Sequence, residues 1–277
     1  MASFIERLRA AQRAQNSLLC VGLDPVKERV LAAVGDVPDP VLTFNRAIIE
    51  ATADLVCAYK PNFGFYEAMG LEGLRALAET IKLVPKPVLV IADAKRGDIG
   101  NTSRAYAEAL FDQWGCDAAT VSPYLGRDSL QPFLARPENG AFILCRTSNP
   151  GARDFQDLLV LEGEKPARPL YQVVAERVAG WNEAGNCGLV VGATYPAEIR
   201  EVRAIAPDLP LLIPGVGAQA GDLEAAVRWG VDAAGELAVI NSSRQVIYAA
   251  AGPDFAAEAR RVAANLRDQI NAFRRSG

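Results

Sequence analysis

Residues 87–102 read PVLVIADAKRGDIGNT. The apolar run 87–93 closes on Asp93, Lys95 and Asp98 follow at spacings of two and three, and a helical period begins at 101. A short Val/Ile/Leu run of this kind suits a strand buried on both faces, as in a parallel sheet. Charges gathered just past such a strand, ahead of a helix, fit a βα unit whose loop carries the polar groups.

The same alternation recurs along the chain. Apolar runs at 18–23 (LLCVGL), 55–60 (LVCAYK), 117–122 (DAATVS), 141–146 (AFILCR), 188–193 (GLVVGA), 210–215 (PLLIPG) and 236–241 (ELAVIN) join 87–93 as candidate strands. Helical patterns lie at 41–54, 66–82, 101–113, 127–136, 169–184, 196–206, 220–229 and 253–273. The last carries an apolar stripe of Phe255, Ala259, Val262, Leu266, Ile270 and Phe273, the face a helix turns to a core. Eight strand–helix alternations predict a (β/α)8 TIM barrel, with a doubly wound open sheet as the alternative arrangement. No linker-like stretch interrupts the chain, so residues 1–277 read as one barrel domain entered through an N-terminal amphipathic helix. The longest stretch without periodicity is 147–168, and a loop of that length in a compact domain is usually functional.

Composition narrows the chemistry. The chain has 277 residues, half of them hydrophobic, a net charge of −4, and no histidine. The missing imidazole excludes Ser-His-Asp and Cys-His machinery, histidine general bases and His-ligated metals. Lys and Arg are scattered, which argues against a nucleic-acid partner. No apolar run approaches the ~18 residues of a membrane span, and the N-terminal segment lacks the apolar region of a secretory signal. Cys20, Cys57, Cys116, Cys145 and Cys187 sit mostly in apolar runs without a C-x-x-C pair. Reduced, buried thiols in a cytoplasmic protein are the expectation.

If the fold is a barrel, its site lies where strands end and βα loops begin. Asp24, Lys60, Asp93, Lys95, Asp98, Ser122, Thr147, Ser148 and Thr194 occupy such positions. In extended chain, residues two apart face one side, so Asp93 and Lys95 should point together into the mouth, with Lys60 arriving from the neighbouring strand. Two lysines and two carboxylates can then alternate, holding Lys95 as an oriented proton donor. A structural salt bridge at the rim and a Schiff-base lysine are the competing readings; neighbouring carboxylates, which keep an amine protonated, oppose the latter. After the seventh and eighth strands come PGVGAQAGD (214–222) and NSSRQ (241–245). Gly215 and Gly217 let backbone approach a ligand, loops 7 and 8 of barrels frequently hold phosphate, and Arg244 offers a forked donor. Gln219 can reach the phosphate or the rest of the ligand, while Ser148 either bonds a base edge or caps its turn. Decarboxylation of a phosphorylated small molecule, with protonation of the resulting carbanion, fits this inventory.

The chain resembles the orotidine 5′-monophosphate decarboxylase family, in its longer bacterial form. CVGLDP (20–25), YKPNFGFYEAMG (59–70), IADAKRGDIGNT (91–102), TVSPYLGRDSLQPF (120–133), RTSNPG (146–151), GLVVGAT (188–194), PGVGAQ (214–219) and NSSR (241–244) carry the resemblance. They span nearly the whole chain in the family's order. The resemblance implies conversion of orotidine 5′-monophosphate to UMP and CO2, the last step of de novo UMP synthesis, without cofactor or metal. It implies Lys95 as proton donor, Asp93 beside the substrate carboxylate, and Lys60 and Asp24 on the ribose side. Ser148 would meet the pyrimidine edge, Gln219 would bridge base and phosphate, and Arg244 would grip the phosphate. It also implies a homodimer with shared sites, Asp98 and Thr102 reaching into the partner's. Two rivals differ in their expectations. A sugar-phosphate decarboxylase of the same superfamily would need a metal. A nucleotide-binding barrel without activity would not need the charge array.

Overall fold

The computed structural model describes residues 2–164, 166–216 and 222–274. Eight parallel strands close into a barrel. In chain order they are β1 (Leu19–Leu23), β2 (Ala58–Pro61), β3 (Leu89–Arg96), β4 (Ala118–Val121), β5 (Gly140–Arg146), β6 (Cys187–Val191), β7 (Leu211–Pro214) and β8 (Ala238–Ser242). β1 pairs with β8, Leu19 opposite Ile240 and Cys20 opposite Asn241, and this pairing excludes the open sheet. Each strand falls on one of the apolar runs read from the sequence.

The two faces of each strand enter different cores. Cys20, Ala58, Ile91, Ala118, Phe142, Val190, Leu212 and Val239, one from each strand, pack together inside the barrel. The intervening residues, such as Val21, Tyr59, Val90, Ala119 and Ile143, join the core under the surrounding helices. Pleating explains the division, since successive side chains leave a strand on opposite sides.

The N-terminal helix α1 (Phe4–Gln15) begins with a capping box in which Ser3 and Glu6 satisfy each other's backbone N–H. That arrangement suits a helix start by supplying partners for groups left over at its first turn. Phe4, Leu8 and Ala11 close the N-terminal end of the barrel and join its inner core. Phe4 meets Phe142 edge-on, with ring centroids 5.7 Å apart. Gly140 leaves room for it, since a Cβ there would stand 2.5 Å from the Phe4 ring. Buried Gln12 bonds both the carbonyl of Ala238 and the N–H of Leu237, and Arg9 pairs with Asp232 and Glu236.

Several helical readings change. Lys27–Val34 is helical although no helix was expected there. The 66–82 pattern divides into Phe63–Glu67 and Gly70–Leu83, with Gly70 at φ +65° opening the second. The 101–113 pattern becomes a helix, Gly100–Glu108, ending in a wider turn over Ala109–Gln113. The stretch 147–168 is not irregular throughout. It contains a 3-10 turn, Pro150–Asp154, and an antiparallel pairing of Leu159–Val160 with Arg168–Pro169.

Because α1 is part of the barrel core, Phe4→Ala should lower stability by about 3–5 kcal/mol, as for other buried aromatic truncations. Urea denaturation measures this; a loss below ~1 kcal/mol would place α1 outside the cooperative core.

Candidate active site

One residue pair further along the inner face, apolar side chains give way to polar ones. Ala58 is followed by Lys60, Ile91 by Asp93, Ala118 by Thr120 and Val239 by Asn241. Lys60, Asp93, Thr120 and Asn241 are all buried. Lys60 and Asp93 join Asp24, Ser148, Gly215 and Arg244 around a cleft of about 160 Å³, completed by Asn62, Pro214, Val216, Asn241 and Ser243. Gly22 makes room on β1, where a Cβ would collide with the Ser243 hydroxyl. Gly217 and Gln219 lie outside the described residues.

At the centre stands a chain of three charges. The Lys60 ammonium donates to Asp93 Oδ2 at 2.6 Å, and the Lys95 ammonium donates to the other oxygen, Oδ1. Burial pushes the Asp93 carboxyl up, but the two lysines outweigh it and hold the group well below the ordinary carboxylate range. Burial likewise pulls the Lys60 ammonium down, while Asp93 and Asp24 more than restore it, leaving Lys60 above an ordinary lysine. A buried pair is stable only when attraction and hydrogen bonding outweigh desolvation; here both carboxylate oxygens are held by cations. Lys95 itself is exposed at the mouth.

Asp93 and Lys95 do meet, but simple strand alternation is not how. Lys95 has φ +47°, a left-handed conformation that costs a non-glycine residue about 1–3 kcal/mol. Between the pairs Ala92–Ala119 and Arg96–Val121, β3 advances four residues while β4 advances two. The extra residues form a bulge that turns the Lys95 side chain back over Asp93. The Thr120 hydroxyl accepts the N–H groups of Ala94 and Lys95, at 3.1 and 2.9 Å, and donates to Asp93 Oδ1 at 3.2 Å. Thr120 was not among the expected site residues. Inner-face alternation from Ala118 was the signal that could have found it.

Asp98 stands apart from the charge chain of its own chain's mouth. Among the described residues it forms no ion pair with either lysine; its carboxylate accepts the neighbouring Ile99 N–H at 2.8 Å. Thr102 is exposed on the helix Gly100–Glu108, and neither residue lines the cleft of its own chain. Ile99, next in the chain to Asp98, is 60% exposed, and Tyr124 in the segment after β4 is 83% exposed.

The rest of the mouth is set by its loops. Among the described residues Asp24 keeps one buried carboxylate oxygen, Oδ1, without a hydrogen-bond partner. Its backbone is fixed by Tyr248, whose hydroxyl donates to the Asp24 carbonyl at 3.1 Å and accepts the Val26 N–H at 2.6 Å. Ser148 rests on Gly192, where a Cβ would stand 2.8 Å from its Cα. Ahead of it, fully buried Arg146 lies 3.9 Å over the Tyr195 ring and pairs with Asp157 at 3.1 Å. Gln156 accepts the Thr147 N–H at 2.8 Å. These contacts tie the 147–168 excursion to the end of β5; Arg146 and Gln156 were not anticipated either. Arg244 is exposed, opens the short helix Arg244–Ile247 and lines the same cleft as Lys60 and Asp93. Among the described residues no cluster of three or more Cys, Asp or Glu is disposed to hold a metal, and no helix is long and apolar enough to cross a membrane. All five cysteines are buried and unpaired, and burial pushes the Cys57 thiol up to about 12.

A family model described as Orotidine 5′-phosphate decarboxylase / HUMPS family matches residues 17–261. The chain is 53% identical to the orotidine 5′-phosphate decarboxylase of Dehalococcoides mccartyi over 98% of each chain. It is 54% identical to that of Herpetosiphon aurantiacus over 94% of this chain and 95% of the relative. Among solved structures, Leishmania donovani OMP decarboxylase is similar with a TM-score of 0.85 and 43% identity, covering 98% of this chain and 99% of that one. Leishmania donovani UMP synthase is similar with a TM-score of 0.87 and 44% identity; the chain spans 57% of that longer protein.

The depressed Asp93 carboxyl predicts a pH dependence. Its ordinary value is 3.8, so its contribution to stability is complete well above that pH. It is lost as pH falls below 3.8 toward the lower folded-state value. Urea stability of the wild type should therefore fall more steeply from pH 5 to pH 3 than that of Asp93→Asn. Parallel slopes would mean that the carboxyl is not held low.

Proposed function

The chain belongs to the orotidine 5′-phosphate decarboxylase / HUMPS family, and from that premise we propose how its mouth divides the work of decarboxylation. Orotidine 5′-phosphate loses its carboxylate as CO2 to give UMP, a step of pyrimidine biosynthesis. The bond from the ring carbon to the carboxylate breaks, and its electron pair stays on the ring carbon. Lys95 then gives a proton to that carbon, and the neutral amine recovers one from solvent. The observation that carries the reading is the chain Lys60–Asp93–Lys95. It presents a carboxylate where CO2 departs and a cation where negative charge develops.

Electrostatic stabilisation of the carbanion-like transition state accounts for the cation. Donors fixed before reaction need not reorganise as charge appears. Asp93 also faces the substrate carboxylate, and the resulting repulsion is relieved as CO2 leaves. Lys60 and Asp24 take the ribose side; Asp24 Oδ1, buried and without a partner among the described residues, is a ready acceptor for a ribose hydroxyl. Ser148 and Gln219 meet the base, and Arg244 holds the phosphate with the backbone at Gly215 and Gly217. Binding energy from that remote phosphate supports the reaction at the ring. These steps call on no metal and no cofactor.

Asp98 and Thr102 act in the site of a partner subunit within a homodimer. Their absence from their own chain's cleft supports this reading, and so does exposed Ile99 next to Asp98 in the chain, since exposed apolar surface can mark contact sites.

Mixed with orotidine 5′-phosphate in the presence of a chelator, the wild type should consume the orotate-type absorbance. Lys95→Ala should be slower by at least about a thousandfold while remaining folded, the upper range for loss of a general acid. Near-normal turnover by that variant would remove Lys95 from its role, and loss of wild-type activity to the chelator would favour a metal-dependent relative. For the shared site, equal mixtures of refolded Lys95→Ala and Asp98→Ala subunits should regain about a quarter of wild-type activity. That is the share expected when subunits pair at random and one site per hybrid carries neither lesion. No recovery despite verified hybrid formation would refute the exchange of Asp98.

A further inference from the structure

We infer that Thr120 is a positioning residue for the decarboxylation, its hydroxyl setting the place of both Lys95 and Asp93; this rests on the role proposed above for those two residues. A threonine hydroxyl has one proton and two lone pairs. Here the lone pairs face the N–H groups of Ala94 and Lys95, and the proton faces Asp93 Oδ1. That oxygen is the one that also receives the Lys95 ammonium. A single side chain therefore holds the backbone of Lys95 and the counter-ion of its side chain at once.

The bulge gives this hydroxyl its importance. Where β3 runs ahead of β4, between Ala92 and Arg96, the regular ladder is interrupted. Two N–H groups lose the strand partners they would otherwise have, and backbone donors shielded from water need replacements. Thr120 is 1% exposed, so water does not compete for its lone pairs. Without the hydroxyl, little opposes relaxation of Lys95 out of its left-handed conformation. The ammonium would then swing away from the line between Asp93 and the reacting carbon. Displacements of about 1 Å in a reacting group can cost on the order of a hundredfold in rate. Of the groups assigned to ribose, base and phosphate, Asp24 after β1, Ser148 after β5 and Arg244 after β8 sit elsewhere, and Lys60 is held by Asp93 Oδ2 rather than by the Oδ1 that Thr120 touches. Thr120 should therefore govern turnover and leave nucleotide affinity alone.

The test compares Thr120→Val, which keeps the shape and removes the hydroxyl, with Thr120→Ser, which keeps the hydroxyl. Thr120→Ala replaces Thr120→Val should the added methyl impair folding. The expected result is a kcat lowered about thirtyfold or more in the hydroxyl-free variant, given the sensitivity of rate to placement. The UMP Kd should stay within about threefold, and Thr120→Ser should return kcat to within about threefold of wild type. A hydroxyl-free variant with near-normal kcat overturns the inference. So does a parallel loss of kcat and UMP affinity, which marks a general structural role, and so does a serine variant as slow as valine. Lys95→Ala is measured alongside. If it is inactive while Thr120→Val is not impaired, this inference alone falls; if Lys95→Ala is itself active, the proposed role of Lys95 falls and this inference with it.

Discussion

Asp93 sits between two ammonium groups on the inner face of the barrel, and the surrounding mouth is arranged to make that charge state stable. The carboxylate is 9% exposed and Lys60 4%, so neither can rely on bulk water for solvation. Each is held charged by the other, with the Lys95 ammonium and Thr120 hydroxyl completing the shell around Oδ1. Removal of one partner from such a buried pair leaves an uncompensated charge, and the cost is commonly about 3–5 kcal/mol. The array therefore holds Asp93 and Lys60 charged and fixes the positions of all three side chains together.

The barrel supplies those positions through a regular rule with one local exception. The inner face is apolar in its lower layer, closed from beneath by Phe4, Leu8 and Ala11. Two residues higher on several strands it becomes polar, so the site is the upper layer of the same stack of side chains. Lys60 and Asp93 obey this rule, and the bridge between Asn62 and Asp93 continues the pairing of β2 with β3. Lys95 departs from it, being displaced by the bulge and held in a left-handed conformation. Bulges are well suited to re-aiming a side chain beside a site. Backbone strain is retained where the surroundings determine the conformation strongly enough, and Thr120 is the nearest such determinant.

Two other devices bring distant segments to the mouth. Tyr248 brackets the loop after β1 through bonds to Asp24 and Val26, while its ring stacks against Phe44 and beneath the Arg29 guanidinium. It thereby joins the end of the chain that carries Arg244 to the segment that carries Asp24. Arg146 performs a similar service for the 147–168 excursion, with Tyr195 under its guanidinium and Asp157 beside it.

The sequence alone determined the order of the eight barrel strands and of the principal helices, though not the helix Lys27–Val34, because buried parallel strands have a continuous apolar signature and their helices a different period. It also determined the lining of much of the cleft, because charged residues at strand ends have few other places to go in a barrel. Asp24, Lys60, Asp93 and Arg244 were legible on that basis, Gly215 through its Gly-rich loop and Ser148 through its place just past a strand. The resemblance to a family added substrate and roles that spacing could not supply. Only the tertiary structure decided that Asp98 stands apart from the two lysines, that Lys95 reaches Asp93 through a bulge, and that Thr120, Tyr248, Arg146 and Gln156 brace the mouth. Those outcomes depend on register between strands and on contacts between segments far apart in the chain. A local pattern of residue types fixes which face a side chain takes, but not which distant backbone group it meets there.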